Sequence, residues 1–460
     1  MSEEIVIKNQ ETRKLRVSIK TFGCQMNQYD TEVASGLLQD AGYEILPEGD
    51  SGASADIILM NTCSVREHAE DRVYSRLGIL AETKKQNPDL VLGLLGCMVE
   101  EHREKLFRRF PQLDLMIGTR NLVELPALIG RVRKERRQIA RIKQDGISIE
   151  YTELIKRRTE HHAWLPIMTG CNKVCTFCIV PITRGSEVSM PARDVYREAA
   201  RLAGEGVRWI TLLGQNVNSY NGAPAGELSS NVSFPKLLDT LCEIEGLFQI
   251  SFTTSHPHDA TPKLFEVIAR NPKISRRFHL PLQSGSDAVL KRMKRLHTYE
   301  EYAGKIERMR GMIPDVLVTT DIIAGFSGET EESHRETMKA LEDLRFDGAY
   351  IYKYSVRAGT PAAKLPDDVP LEVKERRNQE LLETQKRISD ENYRARLGRT
   401  VIVFAESVNA RNPDELVGRT NFDKKVIFRG SRDQIGAIHR VELTELIHET
   451  FKGVALGPSR

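Results

Sequence analysis

The sequence has no apolar run long enough to cross a membrane. Its longest, Ile57–Met60 and Leu90–Leu95, fall far short of the roughly 20 residues a spanning helix needs. The first residues, Met1 to Lys8, are polar and acidic where a secretory leader would be basic and then apolar. No charge dominates either: 67 Lys and Arg against 64 Asp and Glu leave a net charge of +3, which by itself argues for no nucleic acid. These absences predict a cytoplasmic chain with no membrane partner, a compartment in which cysteines serve as ligands or catalysts more often than in disulfides. Cysteine is scarce, with seven residues in 460. There is only one Cys-x-x-Cys, Cys175 to Cys178, so a four-thiolate zinc site lacks its second pair.

What is present exceeds one hydrophobic core. A chain of 460 residues, 40% hydrophobic, predicts two or three domains. Residues 15–130 alternate short apolar strands with helical patterns. Strands fit Leu15–Lys20, Asp56–Asn61, Leu90–Leu95 and Leu113–Ile117, and helices fit Tyr29–Ala41, the spacing from Val65 to Leu80, Glu101–Phe110 and Leu122–Ile129. That alternation predicts a doubly wound parallel sheet. Cys24, Cys63 and Cys97 each fall just past a strand's carboxyl end, the edge at which such sheets place their ligands. Three buried thiols acting as small hydrophobes are the plainer reading of those positions.

The alternation then stops at a basic stretch, Arg131, Arg133, Lys134, Arg136, Arg137, Arg141 and Lys143, followed by Lys156, Arg157 and Arg158. It reads as a linker whose charge is either a solvated face or an RNA contact. From 163 onward six strands and five helices alternate, too few for a closed eight-stranded barrel and enough for a partial (β/α)6 barrel with an open side. A polar helix over Leu371–Leu397 leads to a tail of short β-type runs, Val401–Phe404, Lys425–Phe428 and His439–Leu443. Asn412–Pro413, Gly418 and Gly430 are predicted turns between them. The tail predicts a small all-β, OB-like module whose Arg411, Arg419, Lys424, Lys425, Arg429 and Arg432 suit RNA. The expected divisions are therefore 1–135, a basic linker at 136–160, 161–397 and 398–460.

The most specific pattern is Cys171-Asn-Lys-Val-Cys175-Thr-Phe-Cys178. One loop can deliver these three thiolates to three corners of an iron–sulfur cubane, leaving an iron with no protein ligand. Zinc held with His161 or His162, or a thioredoxin-type pair of Cys175 and Cys178, would explain part of the same pattern. Cys242 lies on a helical pattern between Leu241 and Ile244 and reads as core.

Cys-x3-Cys-x-aromatic-Cys after a first barrel strand resembles the signature of the radical S-adenosylmethionine superfamily. The extended run from Thr169 to Gly185 resembles its methylthiotransferase branch. So do Thr21–Asn27, Asn61–Arg66, Gly96–Cys97, Leu280–Ser286 and Gly325–Thr330, so that the resemblance spans nearly the whole chain. The tail, with Gly418–Asn421 and Val426–Phe428, is similar to the TRAM RNA-binding module. Ser327 departs from the proline common in this branch, a change expected to alter loop stiffness only.

The resemblance implies two 4Fe-4S clusters. Cys171, Cys175 and Cys178 would hold the one that binds S-adenosylmethionine, and Cys24, Cys63 and Cys97 an auxiliary one. It places Phe177 against the adenine and Gln215, Asn216 and Gln283 in the cofactor and nucleoside pocket. Leu213–Tyr220 resembles the branch members that add a methylthio group at carbon 2 of N6-isopentenyladenosine in a tRNA anticodon stem-loop. Threonylcarbamoyladenosine tRNA, a ribosomal-protein aspartate, or a non-catalytic iron–sulfur RNA-binding role are the alternatives. Implied partners are tRNA, an electron donor such as a flavodoxin or ferredoxin, and a sulfur donor, with the chain a monomer.

Overall fold

The computed structural model describes residues 13–47, 54–64, 67–142, 154–223 and 231–458. The acidic N-terminus, Val65, Arg66 and Lys143 lie outside the described residues. The chain forms two compact units, residues 1–158 and 159–460.

The first unit is built on six parallel strands: β1 (Arg16–Phe22), β2 (Glu44–Ile45), β3 (Ile57–Thr62), β4 (Val91–Gly96), β5 (Leu115–Ile117) and β6 (Ile139–Arg141), in the order β2-β1-β3-β4-β5-β6. Every residue of β3 and β4 is buried, as expected of central strands covered on both faces. One core packs Val17, Ile57, Leu59 and Leu95 against Ala34 and Leu38 of the helix Gln25–Asp40 and Leu128 and Ile129 of the helix Leu125–Glu135. The opposite core packs Ile58, Met60, Leu92 and Leu94 against Val73 and Leu77 of the helix Glu67–Gln86. Two separate cores on two faces are what the doubly wound pattern requires.

Two local expectations differ here. The predicted helix over Glu101–Phe110 is two short helices, Cys97–His102 and Lys105–Arg109, interrupted at Arg103, whose φ is 48°. The stretch read as a linker begins with β6, which adds a sixth strand beside β5. Its later part returns to the same unit, where the Lys156 N–H donates to the Glu32 carbonyl. The basic run is also neutralised in part. Arg131 pairs with Glu135, Arg136 with Asp89, and Arg141 with Glu124. Asp89 and Glu124 are invisible to a reading of the run alone.

The second unit contains six barrel strands: β7 (His162–Pro166), β8 (Trp209–Leu213), β9 (Gln249–Phe252), β10 (Arg277–His279), β11 (Leu317–Ala324) and β12 (Gly348–Lys353). They pair in parallel as two three-stranded sheets, β9-β8-β7 and β10-β11-β12. Helices Ala192–Gly204, Phe234–Cys242, Pro262–Arg270, Tyr299–Met312 and Glu331–Leu344 make the connections. Their buried stripes, such as Leu264, Phe265, Val267 and Ile268, recur at helical spacing.

The helix Leu371–Arg394 leads to a closed five-stranded barrel: β13 (Thr400–Asn409), β14 (Asn412–Thr420), β15 (Lys425–Arg429), β16 (Ile438–Ile447) and β17 (Thr450–Pro458), ordered β13-β14-β15-β17-β16. Asn412 and Pro413 open β14, and the turn falls earlier, at 410–411, between the paired Asn409 and Asn412. Gly418 lies inside β14. This small barrel caps the starting ends of the large one. The Asn421 carbonyl accepts from the Arg276 N–H (2.9 Å), Gln249 Nε2 (3.2 Å) and Ser275 Oγ (3.1 Å). Arg277 forms an ion pair with Asp423, and Phe404 stacks on Phe248.

Candidate functional site

In the first unit the parallel register aligns three strand ends. Phe22 is opposite Thr62, and Thr62 opposite Gly96. Cys24, Cys63 and Cys97 follow those residues, so three thiols distant in sequence leave three adjacent strands at one edge. Strand order reverses between β1 and β3, which opens the crevice where sheets of this order bind ligands. Two asparagines fix the loops. Asn27 Nδ2 donates to Asn61 Oδ1 (3.0 Å) and to the Thr62 carbonyl (3.1 Å), while Asn61 Nδ2 donates back to the Asn27 carbonyl (2.9 Å). Asn27 Oδ1 accepts from the Cys24 N–H (3.2 Å) and lies 3.4 Å from Cys24 Sγ. The third loop needs glycine: Gly96 has φ 97°, and a Cβ there would sit 2.5 Å from the Thr62 carbonyl oxygen.

In the second unit the Cys171–Cys178 loop begins five residues past β7. Its entry turns on Gly170, with φ 74° and no room for a Cβ, which would fall 2.0 Å from the Ser186 carbonyl oxygen. Gln215 Oε1 accepts from the Gly170 N–H at 2.6 Å. Lys173 pairs with Asp259 (2.8 Å), which also accepts from Asn216 Nδ2 (2.7 Å). Arg295, 4% exposed, donates to Cys175 Sγ at 3.2 Å and to the Pro281 carbonyl at 2.8 Å. His256 Nε2 lies 3.8 Å from the same sulfur, and burial together with the neighbouring Arg295 holds that imidazole neutral.

The three thiols feel one another. Burial, and then the charges of Cys175 and Cys171, push the Cys178 thiol up to about 12, and burial raises Cys171 likewise. Three thiols on one loop, close enough for charge on one to be felt by the others, suit a polynuclear iron centre, whose positive charge offsets that repulsion and keeps the sulfurs deprotonated.

The loops beyond the carboxyl ends of β8 to β11 carry a second pattern. Each holds one buried polar side chain with an atom that has no hydrogen-bond partner among the described residues: Asn216 Oδ1, Ser255 Oγ, Gln283 Oε1 and Ser327 Oγ. A buried group of this kind costs about 1–3 kcal/mol when left unpaired. Four at one end of a barrel mark a cradle for a polar ligand, and a sulfonium amino acid joined to a nucleoside offers the complementary groups. Gln283 and Thr254 also hold φ of 76° and 66°, conformations such residues keep only where the surroundings impose them. Ser327, expected to alter loop stiffness only, instead places a fully buried hydroxyl in this set.

The remaining predicted residues separate. Phe177 is half-buried and packs edge-to-face on Phe326 at 6.4 Å. Gln215 holds the cysteine loop through its side-chain oxygen. Cys242 ends the helix Phe234–Cys242 and is half-buried. His162 starts β7, at the end of the strand away from the cysteine loop, where it is half-buried and its Nε2 is bonded with Thr211 Oγ1 at 2.9 Å, so the structure does not bring it to the cysteines as a zinc ligand. In the small barrel Arg419 is spent on Glu406 and Asp423, and Lys424 on Glu449. Arg411, Lys425, Arg429 and Arg432 stay exposed. Sequence reasoning missed Arg295, Lys173, Asp259 and His256. The run Ser255-His256-Pro257-His258-Asp259, following a strand as it does, was the available signal for two of them.

Residues 16–118 match the model of the uncharacterized protein family UPF0004, and residues 165–341 that of the radical SAM superfamily. A relative from Carboxydothermus hydrogenoformans, named tRNA-2-methylthio-N(6)-dimethylallyladenosine synthase, is 42% identical over 93% of this chain and 96% of its own length. Relatives of the same name from Pelotomaculum thermopropionicum and Dictyoglomus thermophilum are each 42% identical over 94% and 95% of this chain, and 95% and 97% of theirs. Among solved structures, the radical S-adenosylmethionine methyltransferase TsrM from Kitasatospora setae shares the fold, with a TM-score of 0.55 at 13% identity, over 76% of this chain and 74% of that one.

Proposed function

The chain belongs to the family of the tRNA-2-methylthio-N(6)-dimethylallyladenosine synthases, and on that premise we propose how its residues divide the work. It is a radical S-adenosylmethionine enzyme that uses 4Fe-4S clusters and adds a methylthio group at carbon 2 of N6-isopentenyladenosine in tRNA. Cys171, Cys175 and Cys178 hold the cluster that binds S-adenosylmethionine, and Cys24, Cys63 and Cys97 hold the auxiliary one. The observation that carries the assignment of the second unit is a single loop bearing three cysteines beside four buried polar groups without partners among the described residues at the same end of the barrel.

Bound there, the clusters and S-adenosylmethionine supply the one-electron chemistry that a carbon-bound hydrogen, neither acidic nor a leaving group, requires. The chain's own residues position and shield. Gly170 and Gln215 set the loop's entry, while Lys173, Asp259 and Asn216 tie it to the next strand ends. Arg295 donates to Cys175 Sγ and so fixes the position of that sulfur. Asn216, Ser255, Gln283 and Ser327 orient S-adenosylmethionine and the nucleoside, and Phe177 offers a ring edge to the adenine. In the first unit Asn27 and Asn61 set the spacing of the auxiliary thiols.

The small barrel's exposed Arg411, Lys425, Arg429 and Arg432 bind phosphates of the anticodon stem-loop. No helix among the described residues is long and apolar enough to cross a membrane. The enzyme acts as a cytoplasmic monomer and draws on a flavodoxin or ferredoxin and a sulfur donor. Nucleoside analysis of tRNA from a deletion strain tests the reading. It should show isopentenyladenosine in place of its methylthio form, with threonylcarbamoyladenosine derivatives unchanged. Loss of a threonylcarbamoyl derivative instead would reassign the substrate.

A further inference from the structure

The three sulfurs of the Cys171–Cys178 loop have different donors. Cys171 Sγ accepts from the Lys173 N–H (3.4 Å), and the backbone of Val180 serves Cys178. Both are main-chain groups of the loop or its continuation. Cys175 instead meets two side chains from other strand ends of the barrel. Arg295 Nη1 donates to its sulfur at 3.2 Å from 120 positions away, and His256 Nε2 lies 3.8 Å from it, 81 positions away. Neither is needed to anchor the loop. Lys173–Asp259, Gln215 on the Gly170 N–H, and Thr176 on the Met293 and Arg292 carbonyls already do so.

His256 is oriented as a donor. The His258 N–H donates to its Nδ1 (3.1 Å), so the neutral ring carries its proton on Nε2, the nitrogen facing the sulfur. Asn218 fixes the backbone of His256 at both of its groups, donating from Nδ2 to the carbonyl (3.0 Å) and accepting at Oδ1 from the N–H (2.9 Å). Arg295 brings charge. It is buried and always protonated, its Nη2 donates to the Pro281 carbonyl (2.8 Å), and no carboxylate pairs with it among the described residues. A buried cation without an anion is costly. Of the two acceptors it is bonded to, a carbonyl and a sulfur, only the sulfur can carry full negative charge.

We propose that Arg295 and His256 are positioning residues that set the reduction potential of the cluster held by Cys171, Cys175 and Cys178, through two hydrogen bonds to the sulfur of Cys175. The proposal rests on the assignment of that loop given above. Reduction adds one electron from an external low-potential donor; no bond forms and no proton moves. Part of the added negative charge falls on the ligand sulfurs, so donors aimed at a sulfur favour the reduced form and raise the potential. The cationic donor contributes more than the neutral one.

The test uses reconstituted full-length protein in a Cys24→Ala/Cys63→Ala/Cys97→Ala background, so that one cluster is titrated, with its midpoint potential followed by electron paramagnetic resonance. Arg295→Gln should lower the equilibrium constant for reduction at least tenfold, a midpoint about 59 mV more negative for one electron. His256→Phe should lower it by less, about threefold. Arg295→Lys, which keeps the charge, should recover at least half of the shift. Iron should stay at about four per chain throughout. Dithionite-driven cleavage of S-adenosylmethionine should fall in Arg295→Gln, and titanium(III) citrate, the stronger reductant, should restore it. Unchanged potentials in Arg295→Gln and His256→Phe, loss of iron from either, or a cleavage defect that titanium(III) citrate does not relieve would each overturn the proposal. A background protein without iron would refute the loop assignment itself and the proposal with it, and iron content separates that result from an unchanged potential.

Discussion

Asn27 makes four polar contacts with its side chain, two as donor to Asn61 and the Thr62 carbonyl and two as acceptor around Cys24, although a search for metal ligands would not itself select an asparagine. Its amide nitrogen serves Asn61 and the Thr62 carbonyl, so only a donor can stand there. Asn27→Ala and Asn27→Asp should therefore fail alike, each leaving buried acceptors unpaired at about 1–3 kcal/mol apiece. Reconstituted protein should then hold about four of the roughly eight irons that two 4Fe-4S clusters carry, with cleavage of S-adenosylmethionine retained. Full iron content in Asn27→Asp would remove the asparagine clasp from the account. The placement of Cys24, Cys63 and Cys97 just past strand ends was legible in the sequence, because hydrophobic period locates the strands they follow. Arg295 and Asp259 were not, since their partners Cys175 and Lys173 lie 120 and 86 positions away.

At the scale of the element, hydrophobic period located the barrel strands and their five helices within a few residues. It failed in the small barrel, where β14 and β17 were missed. Asn412, Pro413 and Gly418 carry turn preferences, and β14 overrides them because both its neighbours, β13 and β15, supply hydrogen bonds. The same element corrects the charge reading. Arg419 and Lys424 look like RNA contacts in sequence and are structural ion pairs in the fold. Removing Arg411, Lys425, Arg429 and Arg432 together should cut the dependence of log Kd for tRNA on log salt by about 3, from four lost phosphate contacts. Arg419→Ala should leave that slope unchanged and lower Tm. A slope unaffected by the fourfold variant would place RNA binding elsewhere. Deleting the small barrel is a poorer experiment, since it strips the cap from the starting ends of the large one.

The molecule as a whole keeps its two sets of three cysteines in two separate compact units. The sequence showed that separation through spacing: three thiols spread over a hundred residues and three within eight. It did not show that the first set leaves adjacent, in-register strands, which depends on a strand order, β2-β1-β3-β4, that no local pattern encodes. The central claim is that the second unit cleaves S-adenosylmethionine on its own cysteines, while the first supplies what sulfur insertion requires. The direct measurement is the product ratio from a Cys24→Ala/Cys63→Ala/Cys97→Ala variant supplied with tRNA, S-adenosylmethionine and reductant. The account predicts 5′-deoxyadenosine without any methylthio nucleoside, from protein retaining about four irons. Methylthio-isopentenyladenosine formed by that variant would contradict it, and would reduce the first set of cysteines to a structural role.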